Sequence, residues 1–358
     1  MPARPKKLLI TGACGFAGQT LARELREHLV GLELIGLDNL SRAGSELNRR
    51  SAQPFKFIHA DVRNASDVDA LPACDWVLDA AANPSVLAGL DHPGASRQLL
   101  EHNLLGTINL LEYCRRHRAG FILLSTSRVY SAATLSMLQM ESSNKGFRPR
   151  QKQTWPTGAS DAGIAEAFST QPPLSLYGSS KLASEILAME YGAAFNFPIW
   201  LNRCGVLAGA GQFGKADQGI FSYWIHSYAS HRPLKYIGFE GSGFQVRDAL
   251  HPADLVPVIV GQMRQPDDKP QPPLNFGGGP ENSMSLAQLS DWCSKRFGPH
   301  NIASEPIPRP YDVPWLVMDC QAAAQRWDWK PQRNLHSVLE EIAGHAEKNP
   351  NWLDLTSA

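Results

Sequence analysis

The chain has 358 residues, enough for one large buried core with a smaller lobe beside it. Its 34 basic and 34 acidic residues cancel, so the basic excess expected of a nucleic-acid binder is absent. No stretch approaches the roughly 20 apolar residues of a membrane helix. Six scattered cysteines (Cys14, Cys74, Cys114, Cys204, Cys293, Cys320) form no CxxC pair, which predicts free buried thiols in a reducing cytoplasm and no metal site.

The basic start, Met1–Lys7, runs into only three apolar residues, Leu8–Ile10, read as a buried strand and not as a signal peptide. From there apolar runs alternate with helical patterns, which predicts a parallel sheet flanked by helices. Lys7–Thr11 is strand one and Ala17–His28 helix one. Leu32–Asp38, Phe55–His59 and Trp76–Ala81 follow as strands two to four. A long helix is expected over Ala95–Arg116, then strand five over Gly120–Ser125. Helix Ser179–Ala194 and strand six, Pro198–Arg203, complete the pattern. Residues 1–204 and 246–275 are thus assigned to a Rossmann-type, doubly wound α/β domain. Residues 205–245 and 276–358, rich in Gly, Pro and aromatics, are assigned to a smaller mixed substrate lobe. The polar segment 131–176 is long for a connection inside a compact domain. It reads equally as a surface insertion or as a lid over the substrate. Segment 264–273 reads as a solvated loop.

The first strand ends in Gly12-Ala13-Cys14-Gly15-Phe16-Ala17-Gly18. Gly12 permits a tight turn, Gly15 close approach of backbone to a pyrophosphate, and Gly18 close helix–strand packing. The free N–H groups of the helix that follows favour an anion. Asp38 ends strand two, where a carboxylate accepts ribose hydroxyls and repels a 2′-phosphate; NAD is therefore favoured, with Arg42 keeping NADP open. Asp61 and Val62 follow strand three, near where adenine would lie. Ala80, Ala81 and Ala82 follow strand four, where small residues let a cofactor pass, and Asn103 is expected to hold that architecture. Thr126 ends strand five. Tyr177 and Lys181 are one helical turn apart, so phenol and ammonium share a face. The ammonium is expected to lower the phenol's pKa, making Tyr177 an acid/base supported by Thr126.

These residues resemble the extended short-chain dehydrogenase/reductases, the nucleotide-sugar epimerases and dehydratases, over nearly the whole chain. Thr11–Gly18, Asp38–Ser41, Asp61-Val62, Asn103–Leu111 and Tyr177–Lys181 match in order. Arg247-Asp248 with His251 and Asp254, Asn275–Gly278 and Pro308–Asp312 match in the C-terminal half. The branch most similar is the CDP-tyvelose (CDP-paratose) 2-epimerases. It is indicated by Ser125–Tyr130, the 131–176 segment, Gly211-Gln212-Phe213 with Asp217-Gln218-Gly219, and Gly243–Asp248. The Asp-Glu that follows this threonine in 4,6-dehydratases is replaced by Ser127-Arg128, which disfavours elimination.

The resemblance implies further cofactor contacts from Phe16, Ala17, Asn39, Ser41, Ser125 and Cys204. It implies sugar-nucleotide contacts from Thr126, Ser127, Arg128, Gln212, Phe213, Gln245, Arg247, Arg309 and Asp312, with the two last-named arginines near the diphosphate. A homodimer or homotetramer built through the helices at 95–116 and 179–194 is also implied. The expected reaction is epimerisation through a transient keto-sugar at C2. The alternatives are C4 epimerisation of a UDP-sugar, a net keto-sugar oxidoreductase, and an NAD-sensing binding protein. Ala82-Asn83-Pro84, Asn202-Arg203, Cys204–Leu207 and Trp315 depart from the common pattern. They are expected to surround the sugar, leaving its identity open.

Overall fold

The computed structural model describes residues 5–51, 55–90, 92–265 and 269–356. Seven parallel strands form its main sheet: β1 Lys7–Thr11, β2 Glu33–Asp38, β3 Lys56–His59, β4 Trp76–Asp79, β5 Gly120–Thr126, β6 Ile199–Cys204 and β7 Leu274–Phe276. Their order is β7-β6-β5-β4-β1-β2-β3, the doubly wound arrangement in which ligands sit beyond the carboxyl ends of the strands. The central strands are apolar on both faces because helices cover both. Leu8, Ile10, Ile122 and Trp200 share one core with Leu21, Leu25 and Val258. Leu9, Val77, Phe121 and Ile199 face the other way, against Leu110, Leu111 and Ala188.

The predicted strands are found within a few residues of their expected bounds, and three differences have local causes. The helix carrying Tyr177 runs Leu176–Phe195 because Ser175 caps it, its Oγ accepting from the Gly178 N–H at 3.0 Å. The long helix expected over Ala95–Arg116 is broken. It comprises Ala95–Leu100, a π-turn at Glu101–Leu105, and Gly106–His117. There the Thr107 hydroxyl donates to the Asn103 carbonyl at 2.9 Å, an interruption of the kind that unseats a helical ladder. The main sheet is rejoined at β7, three residues long, and not at Val246. Strand Val246–Leu250 belongs instead to a four-stranded sheet with Val206–Leu207, Ser283–Ser285 and Trp315–Leu316. Its last residue, Leu250, and the helix after it, Val256–Arg264, return to the main core beside the Phe16–His28 helix. Of the loop expected at 264–273, residues 266–268 lie outside the described residues, as do Met1–Arg4 of the basic start.

The lobe has its own core, in which helices Ile220–Ala229, Leu286–Phe297 and Leu335–Lys348 pack through Trp224, Ile225, Leu289 and Ile342. Segment 131–176 folds as a short helix and two hairpins. It docks on the lobe through the Phe147 N–H to the Phe244 carbonyl at 2.8 Å, and on the 317–319 segment through the Ile164 N–H to Val317 at 2.8 Å. All six cysteines are free, five of them buried.

Candidate active site

One cavity of about 430 Å³ lies across the carboxyl ends of β1, β2, β4, β5 and β6 and extends to the lobe. At its floor the β1–helix turn is shaped by close approach. Gly12 has φ +61°, and a Cβ there would meet the Ala80 carbonyl oxygen and Ala81 Cα at 2.9 Å. A Cβ on Gly18 would lie 2.2 Å from the Gly12 oxygen. Gly15 is the N-cap and offers no side-chain cap, so the first-turn N–H groups remain free for a ligand. This cradle, lined also by Phe16 and Ala17, fits a dinucleotide pyrophosphate.

Asp38 lines the cavity with both carboxylate oxygens anchored. Oδ2 accepts from the Cys14 N–H at 2.9 Å and Oδ1 from the Leu40 N–H at 2.8 Å. Burial pushes its pKa up and these two N–H groups oppose the rise. Asn39, Ser41, Val62 and Ala80–Ala82 also line the cavity. Asp61 does not. Its carboxylate is held by the Arg63 guanidinium at 2.6 Å and by Asn39 Nδ2 at 3.0 Å, and Arg63 keeps it well below the usual carboxylate range. Asn103 is likewise off the cavity. It clamps the Asn83 backbone from both sides (2.8 and 3.1 Å) and reaches Ser180 Oγ at 3.1 Å. Asn103 thereby ties the loop after β4 to the helix bearing Tyr177. Behind this loop Thr11 Oγ1 accepts from the Ala80 and Ala81 N–H groups and donates to buried Asp79 at 2.7 Å.

Tyr177, Ser125, Thr126, Ser127, Arg128 and Cys204 meet at the centre of the cavity. The Thr126 hydroxyl favours the phenolate form of Tyr177. Burial raises the Tyr177 pKa, and the counterweights are this hydroxyl and the Arg128 guanidinium. In the protein alone the cation acting on the phenol is Arg128. Lys181 is 2 % exposed and lies behind the cavity wall. Burial lowers the pKa of its ammonium against the charges of Asp79 and Glu185.

At the lobe end Gln212, Phe213, Gln245, Arg247, Arg309 and Asp312 all line the cavity. Arg247 is paired with Asp312 at 2.9 Å and also donates to the Val246 and Val313 carbonyls at 2.7 and 2.8 Å. Arg309 donates to the Ala216 carbonyl at 2.9 Å. Arg42 does not stand free for a 2′-phosphate. It crosses the cavity to the Gln218 amide oxygen at 2.9 Å and the Phe213 carbonyl at 3.1 Å. Asp217 accepts from Ser85 Oγ. Segment 213–218 is thus strapped to the strand loops by three hydrogen bonds from Arg42 and Ser85. Only its flanking motifs were singled out from the sequence, because its partners lie more than a hundred residues away.

No described residue of 131–176 lines the cavity, and the segment packs against the lobe through the Phe147 and Ile164 backbone bonds. Among the departures, Ala82, Pro84 and Cys204–Leu207 do line it. Asn202 instead exchanges amide hydrogen bonds with Gln262 in the core at 2.8 and 3.1 Å. Arg203 pairs with Glu185, and Trp315 is buried beside Val246.

The family model described as the NAD dependent epimerase/dehydratase family matches residues 8–277. CDP-paratose 2-epimerase of Salmonella typhi is 30 % identical, the match covering 94 % of this chain and 98 % of that protein. UDP-glucuronate 4-epimerase of Thermodesulfobacterium geofontis is 23 % identical, over 95 % of this chain and 96 % of that protein. Among solved structures, the UDP-glucose 4-epimerase of Thermotoga maritima with UDP-glucose shares the fold with a TM-score of 0.77 at 21 % identity, covering 96 % of this chain and 99 % of that one.

Proposed function

The chain belongs to the NAD dependent epimerase/dehydratase family, and from that footing we propose that it inverts C2 of a nucleotide-linked sugar, as a CDP-paratose/CDP-tyvelose-type epimerase. The observation that carries inversion over elimination is the absence, among the described residues lining the cavity, of a free carboxylate beside Tyr177. The carboxylates among the cavity residues are Asp38, Asp217 and Asp312. The first is anchored on backbone N–H groups, the second holds Ser85 and the third holds Arg247. None is free beside the phenol to act in eliminating water. The identity shared with a CDP-paratose 2-epimerase over almost the full length of both chains points the same way.

In this reading the glycine cradle, Asp38 and Lys181 hold NAD. Bound NAD supplies a reversible hydride acceptor. Tyr177 takes the hydroxyl proton of the carbon being oxidised, and Thr126 hydrogen-bonds the same oxygen. Arg247 and Arg309 face the diphosphate and keep the nucleotide in place while the keto-sugar turns. Tyr177 then returns the proton on the inverted sugar. Small residues at Ala80–Ala82, Gly205 and Ala216 leave room for that turn.

The test is proton NMR of the purified protein with CDP-, UDP-, GDP- and dTDP-sugars. Inversion at C2 of a CDP-sugar without net NADH is the expected result. Inversion at C4, or steady release of NADH, overturns the reading.

The same reading includes a homodimer through the Gly106–His117 and Leu176–Phe195 helices. Leu105, at the end of the π-turn before the first helix, and Ile186, on the second, stand exposed, Ile186 at 57 %. Ile186→Asp is expected to halve the mass measured by analytical ultracentrifugation. A wild-type chain that already sediments as a monomer rejects the dimer.

A further inference from the structure

The fixed positive charge at the sugar end of the cavity is unevenly committed. Arg247 is matched by a carboxylate and uses two more donors on backbone carbonyls. Arg309 lies at the exposed rim and donates to Ala216. Arg128 lines the cavity with five N–H donors and a single hydrogen bond, from Nη1 to the Tyr311 carbonyl at 3.3 Å. Burial and the neighbouring Arg247 push its pKa down to about 10, against the favourable charge of Asp312. The guanidinium is half-buried in the cavity wall, and with one long bond to a neutral oxygen most of its donors are left to meet an anion.

Its position sets where that anion lies. The Arg128 N–H donates to Thr126 Oγ1 at 3.2 Å. Its carbonyl oxygen is packed so closely on the Tyr177 helix that a Cβ on Gly178 would come within 2.2 Å of it. The backbone of Arg128 is thus part of the Thr126–Tyr177 platform. Its guanidinium lies with Tyr311, Asp312 and Arg247, at the end assigned to the diphosphate.

We infer that Arg128 is a further substrate-contacting residue, whose guanidinium holds the sugar-side phosphate of the nucleotide diphosphate. This rests on the nucleotide-sugar reading above and deepens it. A single side chain rooted beside Thr126 and reaching the phosphate keeps the diphosphate close to Tyr177.

The test is calorimetric titration of the holoenzyme with CDP, UDP, GDP and dTDP and with the matching monophosphates, for wild type, Arg128→Lys and Arg128→Met. The monophosphates lack the sugar-side phosphate. Arg128→Met is expected to weaken the tightest-binding diphosphate by roughly tenfold to a hundredfold while leaving its monophosphate unchanged. Arg128→Lys is expected to lie between, and it also serves if the Met variant does not fold. Unchanged diphosphate affinity overturns the inference, as does an equal loss for mono- and diphosphate, which marks a structural role. A wild type that binds none of the diphosphates overturns the nucleotide-sugar reading and this inference together. Tight diphosphate binding lost in the variant, together with a C4 product in the NMR test, overturns only the C2 assignment.

Discussion

Tyr177→Phe is expected to lower kcat for epimerisation by about 10²- to 10⁴-fold, the range for loss of a positioned acid/base, while bound NAD is retained. The phenol lines the cavity together with Thr126. Removing one oxygen leaves the ring, and with it the packing against Ala88 and Leu99, in place. Loss of activity with intact cofactor content would therefore report on proton transfer. A variant that still inverts its substrate at near the wild-type rate would rule out Tyr177 as the acid/base. The pH profile carries a second expectation. Burial raises the Tyr177 pKa and the Thr126 hydroxyl lowers it. The proton-accepting phenolate is depleted as pH falls, so activity drops on the acid side. Thr126→Val removes a group that favours the phenolate and should move that limb to higher pH.

The second large effect concerns stability. Arg203 and Glu185, 6 % and 4 % exposed, face each other at 2.7 Å behind the site. Glu185 also accepts from Ser125 Oγ at 2.5 Å, and Arg203 reaches the Tyr130 oxygen at 3.4 Å. Glu185→Leu leaves a buried guanidinium without its counter-ion and is expected to cost about 3–5 kcal/mol. Replacing both residues, Glu185→Leu with Arg203→Met, removes both charges and should recover much of that loss. Urea unfolding of the two single variants and the double variant closes the cycle. Equal and additive losses would mean that the pair is not the source of the effect.

How much of this was legible in the sequence depends on how far each signal reaches along the chain. The glycine turn, the six longer strands of the main sheet and the Tyr177–Lys181 helix are written in local patterns: a βα turn, continuous apolar runs, and a one-turn spacing. β7 has only three residues and follows a proline-rich stretch, so no period marks it. The assignment of Asp61 to the cofactor did not anticipate Arg63, two residues on, as its partner. Asn202, read as a neighbour of the sugar, faces Gln262 in the core. Which face of a buried strand a polar residue takes is decided by a partner 60 residues away. The strap at 213–218 and the partial pairing of Arg128 are tertiary facts with no local pattern to announce them.

The docking of segment 131–176 has a mechanical consequence. Its hairpins are pinned to Phe244 in the lobe and to Val317 and Asp319 beside it, and Asn275, in β7, donates to the Ile164 carbonyl at 2.9 Å. The stretch therefore works as a cross-brace that ties the main sheet to the lobe, and under the proposed reaction a keto-sugar would turn between two walls joined to each other away from the cavity.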